Sequence, residues 1–278
     1  MKGAEMRRHL RRGVYVVPTT LSVLNLFFGF RSIINSTRGI EAAIMGQPFT
    51  AAHFFQVACF SLFLAALFDT FDGMVARLMH ATSEFGKEYD SIADVVTFGA
   101  APAVLVYAWG LHVLGTLGGA IAFLFLVGGS LRLARFNIMT AKTDHRYFVG
   151  LPIPAAALTL ASIINYAPAP VTDERFAWVI IFVTSFLAFA MVSTVRYRSQ
   201  KKANLQKERS LMYFVVLALI VGVFSKWPRE FCFLLAIGYV SSGPMIRLWS
   251  IAFPSPNRPA PPEAAPDDTQ PDLLSTQA

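Results

Sequence analysis

The chain has 278 residues, of which 55% are hydrophobic and only 15% are charged. Soluble globular domains carry about 25% charged residues, so this composition excludes an ordinary soluble globular protein. The formal net charge of +7 comes from basic residues in short segments between long uncharged blocks. That distribution argues against a nucleic-acid partner and indicates a membrane-topology signal instead.

The uncharged blocks have the length of membrane-spanning helices. Because about 20 apolar residues are needed to cross the hydrocarbon core, the sequence predicts an all-α, polytopic integral membrane helix bundle with about eight transmembrane helices. The block 95–131 is too long for one helix, and its glycines offer a place to turn: Gly110, Gly115, Gly118 and Gly119. The predicted spans lie near residues 14–35, 51–69, 90–110, 114–133, 149–170, 176–195, 211–227 and 231–249.

The segments outside the spans define the domain organisation. Residues 1–13 form a basic N-terminus, residues 14–250 form the transmembrane domain, and residues 251–278 form a tail rich in Pro, Ala and acidic residues. We expect the tail to be disordered. The N-terminus superficially resembles a signal peptide but has no clear small-residue cleavage site, so we interpret it as a retained first helix.

The basic residues predict the orientation in the membrane. If the N-terminus is cytoplasmic, all but five of the 24 Lys and Arg residues lie on the cytoplasmic side. This bias follows the positive-inside rule. The five exceptions are Arg31, Arg38, Arg175, Lys226 and Arg229.

Four aspartates lie inside or beside two predicted spans, where a carboxylate is costly. Asp69 and Asp72 are three residues apart at the end of span two, and Asp90 and Asp94 are four apart at the start of span three. Positions three or four apart share a helix face. If the two spans pack antiparallel, the two pairs can therefore face one another across a small gap.

Converging carboxylates repel one another unless positive charge neutralises them. Divalent cations that prefer hard oxygen ligands would supply that charge, and the sequence offers no imidazole or thiolate cluster of the kind zinc prefers. The simpler alternative is that these carboxylates are solvated or paired with Arg77 and Lys87.

The residues between the aspartates favour a nucleotide site. The stretch reads DTFDGMVARLMHATSEFGKEYDSIAD, residues 69–94. Gly73 and Ala76 are small enough for a flat group to approach the helix backbone. Arg77 supplies a cation suited to phosphate, and Gly86 would allow a turn before the second acidic helix. Together these features predict a site for a nucleotide diphosphate.

This pattern resembles the signature of the CDP-alcohol phosphatidyltransferases, membrane enzymes that transfer a phospho-group from a CDP-linked donor to an alcohol and release CMP. The resemblance implies that two divalent ions, Mg²⁺ or Mn²⁺, are bound by Asp69, Asp72, Asp90 and Asp94, with Asp94 also acting as the general base. It implies donor contacts from Gly73, Ala76, Arg77, Ser83 and Gly86. Ser83 could equally cap a local turn.

Span one resembles the family through PTTLSVLNLFFG, residues 18–29. This implies that Asn25 faces the nucleotide site and contacts the donor. An asparagine in a membrane helix can equally form a hydrogen bond with a neighbouring helix. One branch of the family, the phosphatidylserine synthases, often has Asn directly after the proline of this stretch and Thr four residues after the proline. This chain has Thr19 and Ser22 at those two positions.

Three further stretches resemble the phosphatidylserine synthase branch of this family: SEFGKEYDSIADVVTFGAAPA (83–103), LRLARFN (131–137) and FVGLPIPAAA (148–157). The resemblance implies CDP-diacylglycerol as donor and L-serine as acceptor. No cysteine, serine or histidine stands out as a covalent nucleophile, which favours direct displacement. Glycerol 3-phosphate, inositol, an inositol phosphate and choline are alternative acceptors. A cation transporter and a non-catalytic membrane scaffold are the alternatives from other classes.

Arg132 and Arg135 are three residues apart at the end of span four, so they share a helix face. Their guanidinium groups suit the carboxylate of serine or the phosphate of the donor. The alternative is that both anchor the protein among lipid headgroups. The resemblance also leads us to expect a homodimer. The distribution of basic residues puts the active site at the cytoplasmic face of the membrane, which we expect to be a bacterial inner membrane whose lipids surround the protein.

Overall fold

The computed structural model describes residues 2–78, 84–140, 148–193, 196–197 and 228–252. These residues are helical apart from one pair of two-residue strands and short connections. In chain order the elements are α1 (Lys2–Ile44), α2 (Pro48–Leu78), α3 (Glu84–Asp94), a π-helical segment (Val95–Ala100), α4 (Ala101–Trp109), a 3₁₀ helix (Leu111–Leu114), α5 (Gly115–Thr140), β1 (Phe148–Val149), α6 (Ile153–Tyr166), α7 (Glu174–Val192), β2 (Arg196–Tyr197) and α8 (Pro228–Ala252).

Four helical segments of the described chain are long and apolar enough to cross a membrane. They are Pro48–Val75, Glu84–Trp109, Leu111–Ile138 and Glu174–Val192. α1 and α8 contain the predicted spans 14–35 and 231–249, whereas the predicted span 211–227 lies outside the described residues. The prediction of a helical membrane protein is therefore confirmed, and the number of eight spans stays a prediction.

Two helices differ from their predicted bounds. The span predicted near 90–110 is helical from Glu84 onward, because an acidic residue in the first turn favours a helix N-terminus there. The span predicted near 149–170 contains a helix of only 14 residues, α6. Pro152 precedes that helix and Pro154 lies in its first turn, where proline is tolerated. Pro168 follows its end and cannot continue a helix.

The turn inside the long apolar block forms at two of the predicted glycines. α4 ends before Gly110, and α5 begins at Gly115, whose φ of +55° lies in the left-handed region that favours glycine. Gly118 and Gly119 instead lie inside α5. A Cβ added to Gly118 would meet the backbone of Leu111, so this glycine lets the 3₁₀ helix pack closely on α5.

α1 packs against both of the helices that carry the aspartates, α2 and α3. Among the described helices it forms its most extensive interface with α2, and it also contacts α3, the π-helical segment and α4. Its buried stripe consists of small and polar residues at three- and four-residue spacing, which lets helix backbones approach closely in a membrane. The stripe contains Ser22, Asn25, Gly29, Ser32 and Ser36.

The hydrophobic core lies beside this stripe and fixes the helices that carry the site. Large side chains from α2, the π-helical segment, α4, α5 and α6 are fully or almost fully buried in it, among them Phe55, Phe98, Leu105, Phe125 and Leu160. By contrast, α7 exposes Phe176, Phe182 and Phe189. Exposed apolar side chains on a helix that is apolar all round are expected where lipid covers them.

Candidate active site

Three of the four aspartates converge between α2 and α3. Asp69, Asp90 and Asp94 each place a carboxylate oxygen within 4.8 Å of the others. Asp90 and Asp94 are one turn apart on the same face of α3, and Asp69 lies inside α2 rather than at its end, since that helix continues to Leu78. We call these three residues the carboxylate cluster.

Asp72 lies outside the carboxylate cluster and has a partner on α1. Only 6% of this residue is exposed. Its carboxylate accepts a hydrogen bond from the hydroxyl of Ser22. The structure thus places the fourth aspartate next to the cluster, one turn along α2, with its own partner on a third helix.

Asn25 of α1 reaches the cluster from the same side. Its side chain is fully buried, and its Nδ2 donates a hydrogen bond to Asp94 Oδ1 over 3.4 Å. Thr97 Oγ1 donates to the backbone oxygen of Asn25 over 3.3 Å. A Cβ added to Gly29 would clash with Thr97. This close approach sets the distance between α1 and the helix that carries Asp94.

A π-helical segment begins directly after Asp94 and runs from Val95 to Ala100. π-helical turns are rare and occur frequently at functional sites. Thr97, Phe98 and Gly99 in this segment are buried. The wider turn brings Thr97 against α1 while Asp94 keeps the orientation set by α3.

The predicted donor-contact residues lie along the same two helices. Gly73 is exposed, and a Cβ added to it would meet nothing within 4 Å, so there is open space beside the α2 backbone. Ala76 and Arg77 continue α2, although their side chains are outside the described part of the structure, and Ser83 is outside the described residues altogether. Gly86 lies within the first turn of α3. The predicted turn before the second acidic helix is therefore wrong at this residue, because the helix already starts at Glu84.

The two arginines of α5 have different partners. Arg132 is buried, with 8% of its surface exposed. Its guanidinium carbon lies 5.4 Å from the centre of the Phe136 ring, and the guanidinium is within electrostatic range of Asp94. Arg135 donates from Nη1 to the backbone oxygen of Val192 over 2.8 Å, at the end of α7. Although they are three residues apart, only Arg132 is directed to the carboxylate cluster.

The residues of the cluster fit a divalent cation with hard oxygen ligands. The cluster offers carboxylate oxygens, which are the ligands that Mg²⁺ and Mn²⁺ prefer. Asp90 Oδ1 is buried and has no hydrogen-bond partner among the described residues. A buried carboxylate oxygen without a hydrogen-bond donor is costly, and a bound cation would stabilise its charge.

Three contributors to this region were not singled out from the sequence. Ser91 is on α3, and Thr97 is in the π-helical segment that follows it. Ser91 accepts a hydrogen bond from Asn137 Nδ2 over 3.0 Å. Tyr239 of α8 is within electrostatic range of Arg132. None of these three residues lies on the polar helix face that local spacing marks, which is that of Ser22, Asn25 and Gly29 on α1.

A family model described as CDP-alcohol phosphatidyltransferase matches residues 15–195. The chain belongs to the CDP-alcohol phosphatidyltransferase family. The match runs from residue 15, within α1, to beyond the end of α7, and so contains the carboxylate cluster, Asp72, Asn25 and Arg132. α8 lies beyond the matched residues.

Several relatives in the family are similar over most of their length. A CDP-diacylglycerol–serine O-phosphatidyltransferase of Helicobacter pylori strain J99 is 32% identical over 212 residues, which cover 74% of this chain and 82% of the relative. The enzyme with the same name in Bacillus subtilis strain 168 is 36% identical over 150 residues, or 54% of this chain and 79% of the relative. An archaetidylserine synthase of Methanothermobacter thermautotrophicus is 36% identical over 185 residues, or 65% of this chain and 69% of the relative.

Proposed function

We propose that this protein transfers the phosphatidyl group of CDP-diacylglycerol to the hydroxyl of L-serine, giving phosphatidylserine and CMP. The observation that carries the proposal is the similarity to enzymes named for this reaction, together with the family-model match over the residues that contain the acidic helices. The names of all three relatives described above include serine, including the one whose product is archaetidylserine. The arrangement of charges around Asp94 supports the same reaction.

The four aspartates are the proposed metal ligands. Asp69, Asp90 and Asp94 would hold one ion in the cluster, and Asp72 would complete a second position beside it. Two bound ions, Mg²⁺ or Mn²⁺, would neutralise the donor diphosphate and stabilise the leaving phosphate of CMP. The Asp72–Ser22 hydrogen bond supports this division, since it gives Asp72 a partner of its own, outside the carboxylate cluster.

Asp94 is the proposed general base. It takes the proton of the serine hydroxyl while that oxygen forms a bond to the phosphatidyl phosphorus and the bond from phosphorus to the CMP oxygen breaks. A carboxylate is a weak base for an alcohol, so most of the rate must come from positioning and electrostatics. The contacts that Asp94 receives from Asn25 and the nearby charge of Arg132 are suited to that task.

Donor and acceptor would approach from different sides. The open space beside Gly73 suits the flat CDP group, and we propose donor contacts from Ala76, Arg77, Ser83 and Gly86, as well as from Asn25, as the family signature implies. Arg132 is the better candidate for the serine carboxylate, because Arg135 is engaged with the end of α7. A guanidinium can bind a carboxylate with two hydrogen bonds.

The membrane arrangement is part of the proposal. With the N-terminus in the cytoplasm and about eight spans, the acidic helices meet at the cytoplasmic face of a bacterial inner membrane. There the donor keeps its acyl chains in the bilayer while serine arrives from the cytoplasm. Residues 1–13 and 251–278 would flank a transmembrane domain of residues 14–250, which we expect to form a homodimer.

The acceptor is tested with purified protein in detergent, CDP-diacylglycerol and Mn²⁺ or Mg²⁺. Radiolabelled L-serine, glycerol 3-phosphate, inositol and choline are supplied in separate reactions, and label in extracted lipid is counted together with CMP release. We expect label to enter lipid from serine alone. Label from another alcohol would keep the family and change the acceptor, and the absence of metal-dependent CMP release with every alcohol would refute the reaction.

A further inference from the structure

Two side chains near Asp94, one hydrogen-bonded to it and one within electrostatic range of it, each have a buried polar atom without a hydrogen-bond partner among the described residues. Asn25 is fully buried, and its Oδ1 accepts no hydrogen bond within the described part of the chain. Arg132 is more than nine-tenths buried, and its Nε donates none there. Buried polar groups are nearly always paired, and an unpaired one is costly. An unpaired acceptor and an unpaired donor beside one carboxylate therefore indicate a ligand that brings a donor and an acceptor.

The orientation of the Asn25 amide is fixed by its neighbour. A carboxylate accepts hydrogen bonds, so the amide nitrogen has to face Asp94, as it does over 3.4 Å. The amide oxygen consequently points away from that carboxylate and presents its lone pairs to another group. A lone carbonyl oxygen attracts a hydrogen-bond donor or a cation and repels an anion such as phosphate.

We propose that Asn25 Oδ1 binds the ammonium group of the serine acceptor while Asn25 Nδ2 holds Asp94 in place. This inference rests on the proposed function. In serine the hydroxyl and the ammonium are on adjacent carbons, so a serine whose hydroxyl is at Asp94 has its ammonium within reach of the group bound to Asp94. The carboxylate on the same carbon as the ammonium is left for Arg132.

The arrangement accounts for selection of an amino-acid alcohol. Inositol and glycerol 3-phosphate offer the amide oxygen only neutral hydroxyl donors, whereas serine offers a charged ammonium, and a hydrogen bond from a charged donor is the stronger of the two. Asn25 would thereby be a specificity-determining residue on α1, in contact with the acceptor, instead of a contact to the CDP donor alone. Its two polar atoms would have separate tasks, which makes them separable by experiment.

The test compares L-serine with 3-hydroxypropionate, which keeps the hydroxyl and the carboxylate and lacks the ammonium. The KM for serine and the inhibition constant of 3-hydroxypropionate against labelled serine are measured for the wild type and Asn25→Leu, with CDP-diacylglycerol and Mn²⁺. Leu has nearly the shape of Asn without its polar atoms. The matched control is Asn35→Leu, since Asn35 is also a buried asparagine of α1. Its Nδ2 donates to the backbone oxygen of Arg31 on the same helix.

We expect Asn25→Leu to raise the KM for serine about 10- to 100-fold, while the inhibition constant of 3-hydroxypropionate stays within about threefold of the wild-type value. Asn35→Leu should change neither. Asn25→Leu also loses the hydrogen bond to Asp94. We expect that loss to lower kcat and to affect the binding of serine and of 3-hydroxypropionate equally. Asn25→Ala, measured in the same way, supplies the result if Asn25→Leu does not fold.

An unchanged KM for serine, or an equal rise for serine and 3-hydroxypropionate, would overturn the ammonium assignment. Wild-type protein that transfers no label from serine would instead refute the proposed function itself. The two failures are therefore distinguished by the wild-type reaction, before any variant is considered.

Discussion

Ser22 donates its hydroxyl to the carboxylate of Asp72, although the two residues are 50 positions apart in the chain. Three residues further along α1, Asn25 donates to Asp94, which is 69 positions away. One face of the first helix thus contacts an aspartate on each of the two acidic helices. α1 is therefore part of the candidate site and not only a membrane anchor.

Removal of the Ser22 hydroxyl should lower activity without unfolding the protein. In Ser22→Ala the Asp72 carboxylate loses this hydrogen bond and is no longer held in one orientation. A lost hydrogen bond to a charged group corresponds to about a tenfold or larger decrease in kcat/KM. The measurement is serine-dependent CMP release by the purified variant. Ser36→Ala is the control, since the Ser36 hydroxyl donates to the backbone oxygen of Ser32 on its own helix. Equal losses in both variants would contradict a specific role of Ser22.

The contact between Gly29 and Thr97 should not tolerate a methyl group. Gly29→Ala adds a Cβ that clashes with Thr97, and overpacking of this kind costs about 1–3 kcal/mol. We expect a lower melting temperature in detergent and a loss of activity, because α1 is pushed away from Asp94. Gly238→Ala on α8 is the control: it faces open space and should melt at or slightly above the wild-type temperature.

The two arginines of α5 should separate activity from stability. Arg132→Met removes the charge near Asp94 and should reduce kcat/KM for serine about 100-fold or more, with little change in melting temperature. Arg135→Met removes the hydrogen bond to Val192 at the end of α7, which contributes about 1 kcal/mol. It should lower the melting temperature by a few degrees and keep most of the activity. The reverse pattern would refute the assignment of Arg132 to the site.

Metal binding should depend on the carboxylate cluster even without substrates. Titration of the purified protein with Mn²⁺, followed by electron paramagnetic resonance of the free ion, gives the affinity directly. Asp90→Asn should weaken binding at least about tenfold, because it replaces a buried carboxylate of the cluster. Asp173→Asn, at the N-cap of α7 where Asn is also a good cap, should bind Mn²⁺ as the wild type does. Unchanged binding by Asp90→Asn would exclude the cluster as the metal site.

The acidic pairs could be predicted because their geometry is local. Three- and four-residue spacing puts Asp90 and Asp94 on one face of a helix, and uncharged blocks mark the helices on either side. The N-terminal extension of α3 to Glu84 could not be found in this way, since it is polar and lies outside the apolar block.

The partners of the aspartates depend on tertiary packing. That Ser22 bonds to Asp72 follows from the rotation of α1 against α2, which no local pattern specifies. Spacing likewise gives Arg132 and Arg135 the same helix face, but a long side chain can extend in several directions. Arg135 turns to the end of α7 because unpaired backbone oxygens at the end of a helix attract a cation there.

Asp94→Asn tests most directly whether the carboxylate cluster is the site of metal-dependent transfer to serine. CMP release and labelled phosphatidylserine are measured with CDP-diacylglycerol, L-serine and Mn²⁺ for the wild type, Asp94→Asn and the control Asp173→Asn. We expect Asp94→Asn to lose about 100- to 10,000-fold in rate, as for removal of a general base, while Asp173→Asn remains active. Asp94→Asn protein that is folded and turns over at the wild-type rate would contradict the account.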